Sequence, residues 1–225
     1  MAKSPRVDVG GHVYHVLNRA NDRQRLFRTK LDYMAFEQVL MEARDRVQMR
    51  ILAYCVMPNH WHLVLHPRHD GDLAAFMGWL SLTHTQRWRA AHETIGFGHL
   101  YQGRYKSFLV QTDRHFLTLC RYVERNPLRA HLVQSAEEWQ WSSAWRRSHG
   151  SAEQRELLDE WPVPPSRSYL AWVNRPQTAA ELEEIRSCVM RSRPFGDVPW
   201  VRHVAHQFGI EQRLQPIGRP QKEKD

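Results

Sequence analysis

The sequence has little cysteine: three residues in 225, far apart and without a CxxC pair, namely Cys55, Cys120 and Cys188. This scarcity excludes a disulfide scaffold and a zinc site built from cysteines, and it suits a reducing compartment. The sequence also lacks the roughly 18 uninterrupted apolar residues that a membrane span needs, and its first residues show no apolar segment of a signal peptide. We therefore expect a cytoplasmic protein with no membrane partner.

Positive charge is in excess, and it is concentrated in the first two thirds of the chain. Residues 1–150 carry 21 Lys and Arg against 13 Asp and Glu, whereas residues 151–225 carry 11 against 11. A basic region with interleaved aromatic residues favours a polyanionic partner, most simply a nucleic acid. Charge alone leaves open a soluble protein that is basic for other reasons.

The order of predicted elements indicates an α+β protein. Patterns of β-branched, aromatic and alternating residues predict four strands, at residues 12–18, 49–54, 61–65 and 104–110. Apolar residues at three- and four-residue spacing predict helices over residues 30–46 and 72–92, and a third from an N-cap at Asp113 to Asn126, before Pro127. Elements in this order predict helices packed on an antiparallel sheet.

The composition changes near residue 150. Beyond it the chain holds an acidic stretch, a Pro-rich link at residues 161–165, one predicted helix near residues 178–191 and a basic tail. We interpret residues 1–150 as one domain and residues 151–225 as a C-terminal extension, an appendage to that domain.

Two histidines separated by one residue, His60 and His62, lie in a strand-like segment. Alternation along a strand puts both imidazoles on one face and Trp61 on the other. Two imidazoles in these positions can share a metal ion. They can also be hydrogen-bonded residues on the sheet surface, since the chain holds 14 histidines.

The third predicted helix carries Tyr122 and Asn126 on one face, because residues four apart are neighbours on a helix. Arg121, Arg125 and Arg129 form an adjacent stripe, whose positive charge can favour a phenolate or hold a phosphate. The asparagine can offer its carbonyl oxygen to a metal ion. Ordinary surface roles explain all five residues as well.

Several short motifs occur in an order that is specific to one group of enzymes. Residues 57–64 (MPNHWHLV) and residues 121–130 (RYVERNPLRA) resemble the MPNHxHL and RYxxxNPxRA signatures of the HUH single-strand endonucleases with one catalytic tyrosine. Further matching segments are residues 18–23 (NRANDR), 100–105 (LYQGRY) and 139–143 (WQWSS). In the tail, residues 193–196 (RPFG) and 218–220 (GRP) resemble the extension of the REP-associated tyrosine transposases.

The resemblance implies a ferredoxin-like domain in which His60, His62 and Asn126 bind a divalent cation, Mg²⁺ or Mn²⁺, and Tyr122 is the nucleophile. The tyrosine is expected to attack single-stranded DNA beside a REP-type hairpin, leaving a 5′-phosphotyrosine and a free 3′-hydroxyl. The family also implies a monomer in which the tyrosine acts on the metal of its own chain.

The side chains expected to contact the DNA lie around these motifs. Tyr101 and Tyr105 are expected to stack on splayed bases. The basic residues expected to hold phosphates are Arg19, Arg104, Lys106, Arg121 and Arg125. Core packing for the tyrosines and plain solubility for the charges are the alternatives at these positions.

Some residues depart from the family pattern, and two other functions stay open. Ala20 stands where glycine is expected, and Gln215 and Ile217 stand where basic residues are expected, which affects DNA affinity rather than the catalytic set. The other functions are a sequence-specific DNA-binding protein with idle chemistry and a metal-dependent ribonuclease on a similar sheet. A covalent adduct with single-stranded DNA separates the transposase from both.

Overall fold

The computed structural model describes residues 6–96 and 98–215, without the side chain of Arg23. The strands in this part of the chain are β1 (Val13–Arg19), β2 (Arg50–Met57), β3 (His60–His66) and β4 (Lys106–Val110). Its helices are α1 (Lys30–Val47), α2 (Asp72–Ala91), α3 (Arg114–Glu124), α4 (Asn126–Arg129), α5 (Ser143–His149), α6 (Ala152–Arg155), α7 (Tyr169–Asn174), α8 (Ala179–Arg191) and α9 (Val198–Gln207). Short 3-10 turns occupy Asn21–Arg23, Ala136–Glu138 and Glu211–Leu214.

None of the described helices is long and apolar enough to cross a membrane. The tail motif predicted at residues 218–220 lies outside the described residues.

The four strands form one antiparallel sheet in the order β2-β3-β1-β4. The main elements follow one another as β1-α1-β2-β3-α2-β4, and this succession with this strand order is the ferredoxin-like arrangement. It confirms the predicted α+β fold with helices on an antiparallel sheet. The register sets Arg19 opposite His60, and both Leu17 and Cys55 opposite His62.

A capping box formed by Thr29 and Asp32 begins α1. The Thr29 side chain accepts a hydrogen bond from the Asp32 N–H, and the Asp32 carboxylate accepts one from the Thr29 N–H at 2.8 Å. These contacts satisfy backbone donors that the first turn of a helix leaves unpaired. α1 and α2 lie on one face of the sheet, the first face, where Phe36, Trp61 and Phe76 are buried in a common hydrophobic core.

The opposite face of the sheet, the second face, packs against α3 and α8. Phe116 from α3 and Ile185 from α8 are fully buried in the hydrophobic core on this side. Since successive side chains of a strand point to opposite faces, Trp61 lies in the first core, whereas His60 and His62 lie on the second face.

The end of α3 differs from the predicted one. The helix begins after Asp113, whose carboxylate accepts a hydrogen bond from the His115 N–H at 2.7 Å, and it ends at Glu124. Asn126, the predicted last residue of α3, instead begins α4, with Pro127 in its first turn. Proline is tolerated there because the N–H groups of the first turn have no partner within the helix.

The chain after β4 covers both edges of the sheet. Ser142 forms an antiparallel bridge with Cys55 on β2, and Phe195 forms a parallel bridge with Val110 on β4. Covered edges cannot pair with strands of other molecules. Phe195, from the predicted C-terminal extension, thus pairs with the edge strand β4. The domain boundary at residue 150 stays a prediction from composition.

Candidate active site

Two imidazoles of β3 lie side by side on the second face. The ring centroids of His60 and His62 are 5.0 Å apart, and the rings are nearly perpendicular. His60 Nδ1 lies 2.7 Å from the Asn59 side-chain oxygen, which can only accept, so the ring proton sits on Nδ1 and Nε2 keeps its lone pair.

Burial, with the nearby Arg19 and Arg129, lowers the pKa of His60 to about 4. Burial also lowers the pKa of His62 well below its usual range, so both rings are neutral near pH 7.

Tyr122 reaches this pair from α3. Its ring centroid is 5.8 Å from that of His62, with the two rings nearly perpendicular, and 7% of the residue is exposed. Because α3 packs its apolar side on the sheet, the phenol ring is held between the helix and the histidines. The structure thus brings together the tyrosine and the histidines that the sequence singles out.

Asn126 lies next to Tyr122, but its polar atoms already have partners. Its Nδ2 donates to the carbonyls of Tyr122 at 3.1 Å and Val123 at 3.3 Å. Its Oδ1 accepts a hydrogen bond from the guanidinium of Arg129. The oxygen that the resemblance assigns to a metal ion therefore faces a cation in this structure.

Arg129 is the member of the arginine stripe that lies against the tyrosine. Its guanidinium carbon is 4.5 Å from the ring centroid of Tyr122, and its Nη1 donates to the Gln177 side-chain oxygen at 3.1 Å. Burial lowers the pKa of Arg129 from its usual value. A half-buried cation in this position can stabilise negative charge that develops on the phenol oxygen.

Arg121 and Arg125 point away from the site, and the predicted phosphate contacts do not fit their positions. Arg121 is 3% exposed and pairs with Glu181 at 3.0 Å. It donates further hydrogen bonds to the backbone carbonyls of Trp172, Arg175 and Pro176. Arg125 donates to the Val173 carbonyl at 2.8 Å. Consecutive helix positions are rotated by about 100°, so residue 121 faces α7 and α8 when residue 122 faces the sheet.

We expect Arg121→Ala to lower the free energy of unfolding by about 3 kcal/mol, because it removes the buried donor to three carbonyls and the partner of the half-exposed Glu181. Urea unfolding followed by circular dichroism measures the change. Arg125→Ala is the matched control and should cost about 1 kcal/mol or less. Equal, small losses for both variants would contradict a structural role for Arg121.

Arg19, Arg104 and Lys106, three of the predicted phosphate contacts, line one cavity of about 380 Å³. Arg19 stands opposite His60 in the sheet, and Lys106 stands opposite Leu17. Directly opposite residues of neighbouring strands point to the same side of the sheet, so the side chains of Arg19 and Lys106 lie on the second face with His60. The cavity thus brings three cationic side chains together, and Arg19 connects it to the end of β3 that carries His60.

The two tyrosines predicted to stack on bases lie on the first face. The hydroxyl of Tyr101 accepts a hydrogen bond from Trp61 Nε1 at 3.0 Å and lies 2.7 Å from His84 Nδ1. Tyr101 is 7% exposed and is a core residue, so the prediction for it does not fit. Tyr105 packs against the first core with the guanidinium carbon of Arg6 at 4.0 Å from its ring centroid. Neither ring can stack on a base that is held at the histidines.

A third histidine, which the sequence did not single out, belongs to this cluster. His15 in β1 is fully buried, and its Nε2 lies 2.9 Å from Nδ1 of His62. Burial lowers the pKa of His15 to about 3. Strand alternation offers a signal for it, because residues 15, 17 and 19 of β1 share one face and Arg19 is expected at the site.

Comparisons with known proteins identify the family and the fold of the chain. The family model described as "Transposase IS200 like" matches residues 8–126, which include His60, His62 and Tyr122. A protein of Haemophilus influenzae (strain ATCC 51907 / DSM 11121 / KW20 / Rd), which carries the provisional name REP-associated tyrosine transposase, is 21% identical over 145 residues, covering 60% of this chain and 81% of that protein. A solved structure of a REP-associated tyrosine transposase bound to a REP hairpin shares the fold, with a TM-score of 0.55 and 18% identity over 67% of this chain and 87% of the other. Since the family model spans more than half of the sequence, the chain belongs to the IS200-like transposase family.

Proposed function

We propose that this transposase is a metal-dependent endonuclease and strand transferase that acts on single-stranded DNA beside REP-type hairpins through a 5′-phosphotyrosine intermediate. The contact between Tyr122 and His62 carries the proposal, because it puts a phenol ring 5.8 Å from one of two neutral imidazoles in a chain of this family. The names of the two relatives support a REP hairpin as the substrate.

In the proposed reaction, the Tyr122 phenol gives its proton to solvent, from which the leaving oxygen later takes one, and the phenolate oxygen attacks the phosphorus of a phosphodiester. A bond forms between that oxygen and phosphorus, and the bond from phosphorus to the 3′-oxygen of the preceding nucleotide breaks. The released oxygen takes up a proton and becomes a 3′-hydroxyl, while the covalent intermediate keeps the 5′-phosphate activated for rejoining. Arg129, 4.5 Å from the ring centroid, offsets negative charge on the phenol oxygen.

His60 and His62 are the proposed protein ligands of a divalent cation, with Asn126 as a third. Two neutral imidazoles, one with a free Nε2, are suitable donors, whereas the described residues contain no group of three or more His, Cys, Asp or Glu side chains arranged to hold a metal ion by themselves. Imidazole suits Mn²⁺ at least as well as Mg²⁺, which prefers oxygen ligands. When bound, such a cation polarises the scissile phosphate and offsets its developing charge.

Asn126 can become a ligand only after its oxygen leaves Arg129. The guanidinium then needs another acceptor, and a DNA phosphate beside Tyr122 is the strongest one that the complex offers, since guanidinium–phosphate hydrogen bonds are charge-assisted. We therefore propose that Arg129 moves from Asn126 to the substrate phosphate when DNA binds.

Arg19, Arg104 and Lys106 are the proposed phosphate contacts, because they line one cavity and Arg19 stands opposite His60 in the sheet. Binding through such contacts weakens steeply with salt, since each contact releases condensed counterions. Tyr122 lies against a histidine of its own chain. One chain therefore supplies both halves of the site, and we propose that the active form is a monomer.

A labelled oligonucleotide that folds as a REP-type hairpin with a single-stranded flank tests this function in the presence of Mn²⁺. We expect one strand to be cleaved within the flank and a covalent protein–DNA adduct to survive a denaturing gel. Perfectly paired duplex of the same sequence should give little or no product, because a stiff, stacked duplex cannot bend into the site to bring its phosphorus in line with a phenol held between a helix and the sheet. Equal cleavage of both substrates would contradict the proposal.

The same experiment separates the two other functions. A DNA-binding protein with idle chemistry would retain the hairpin without forming any adduct. Cleavage of a ribose-containing oligonucleotide without an adduct would indicate a metal-dependent ribonuclease.

A further inference from the structure

On the basis of the proposed metal site, we propose that His15 is a positioning residue, which holds His62 in the tautomer that can bind a metal ion through Nε2. His15 is fully buried in β1, and its Nε2 lies 2.9 Å from Nδ1 of His62. The two rings stack with centroids 5.1 Å apart and planes 16° from parallel.

The proton of a neutral imidazole sits on either Nδ1 or Nε2, and a metal ion binds the nitrogen without the proton. Ligation through Nε2 of His62 therefore requires the proton on Nδ1. That atom faces His15 in the buried layer between β1 and α3. A buried N–H without an acceptor is unfavourable, so this tautomer needs a partner at that point.

His15 supplies the acceptor. When its Nε2 accepts from His62, its own proton lies on Nδ1, which is buried without a hydrogen-bond partner within the described residues, so the unpaired N–H is carried by His15 instead of by the metal ligand. Buried polar atoms usually have partners, and the requirement at Nε2 explains why a histidine occupies this position. Phe108, with its ring centroid at 4.9 Å, packs on His15 and fixes the plane of its ring.

A neutral acceptor has a consequence for the strength of the site. Metal-bound histidines commonly donate their second N–H to a carboxylate, which raises the basicity of the ligand. The uncharged imidazole of His15 raises the basicity of His62 less than a carboxylate would. His15 therefore prepares His62 for a metal ion without making the site a tight one, and the cation is expected to exchange readily.

The test compares His15→Gln with His15→Asn in a Tyr122→Phe background, so that DNA is bound but not cleaved. Both substitutions introduce an amide, but only the glutamine oxygen reaches the position of the His15 Nε2. The measurement is the Mn²⁺ dissociation constant of the complex with a hairpin oligonucleotide, followed by the electron paramagnetic resonance signal of free Mn²⁺. We expect His15→Asn to weaken Mn²⁺ binding by about 10-fold or more, and His15→Gln to restore most of the affinity.

His84→Phe is the matched control, because His84 is also buried and hydrogen-bonded among aromatic rings, but on the first face. It should leave the Mn²⁺ dissociation constant unchanged. If His15→Asn does not fold in a thermal unfolding assay, His15→Phe provides the same loss of the acceptor in a ring-shaped side chain.

Equal Mn²⁺ affinities for the parent and all His15 variants would overturn the role of His15 and leave the proposed metal site intact. A parent complex that binds no Mn²⁺ would overturn the metal site itself, and this inference with it. The two failures are therefore distinguishable in one set of titrations.

Discussion

Replacing Tyr122 with phenylalanine should reduce formation of the covalent protein–DNA adduct by about 10³-fold or more, since the substitution removes the nucleophile itself. Only the hydroxyl is lost. The ring contacts with His62 and Arg129 do not require it, so the fold and the affinity for DNA should persist. Denaturing gels of a labelled hairpin oligonucleotide with Mn²⁺ measure the adduct, and fluorescence anisotropy measures the affinity.

Tyr105→Phe is the control for this prediction. It also removes one phenol hydroxyl, but Tyr105 packs against the core of the first face. The variant should form the adduct at the rate of the unchanged protein. An adduct that persists in Tyr122→Phe and disappears in Tyr105→Phe would assign the nucleophile to Tyr105, and the proposed site would be wrong.

Replacing either His60 or His62 with alanine should abolish Mn²⁺-dependent cleavage, because one remaining imidazole cannot hold the cation in place. The loss should approach that of Tyr122→Phe. Asn126→Ala should have a smaller effect, since water can replace a carbonyl ligand. Cleavage rates as a function of Mn²⁺ concentration measure all three variants.

His66→Ala is the matched control, because His66 ends the same strand and shares the side-chain direction of His60 and His62. Its Nδ1 lies 3.1 Å from the Arg50 guanidinium, at the far end of β3 from His60. The variant should cleave normally. Full cleavage activity of the unchanged protein in EDTA would contradict the assignment of His60 and His62 as ligands of a required metal ion.

Local periodicity predicted much of the fold and the centre of the site. Alternation along β3 separates His60 and His62 from Trp61, and the structure shows that separation between its two cores. The capping box at Thr29 fixes the start of α1 through contacts three residues apart. Interactions of this kind are readable because both partners are close in the sequence.

The predictions that failed depend on partners far away in the sequence. Helix spacing puts Arg121 on a stripe next to Tyr122, but it cannot show that Glu181 lies against that stripe. Tyr101 precedes β4 in an irregular segment, where no residue periodicity indicates which face of the sheet its side chain takes. Its hydrogen bond with Trp61 holds it on the first face. The partnership of His15 with His62 likewise depends on the register of two strands.

The two bridges at the sheet edges join segments that are far apart in the sequence. More than eighty residues of chain separate Cys55 from Ser142, and Val110 from Phe195. Contacts over such distances form later than the β2–β3 hairpin and the helices, because closing a long loop costs entropy before any contact is gained. Since β1 and β4 pair over similar distances, we expect the outer edges of β2 and β4 to stay open until late in folding, when another chain can add to their unpaired N–H and C=O groups. The fraction of chains that reach the native state is then set by their concentration, through a competition between closing these edges and joining a neighbour.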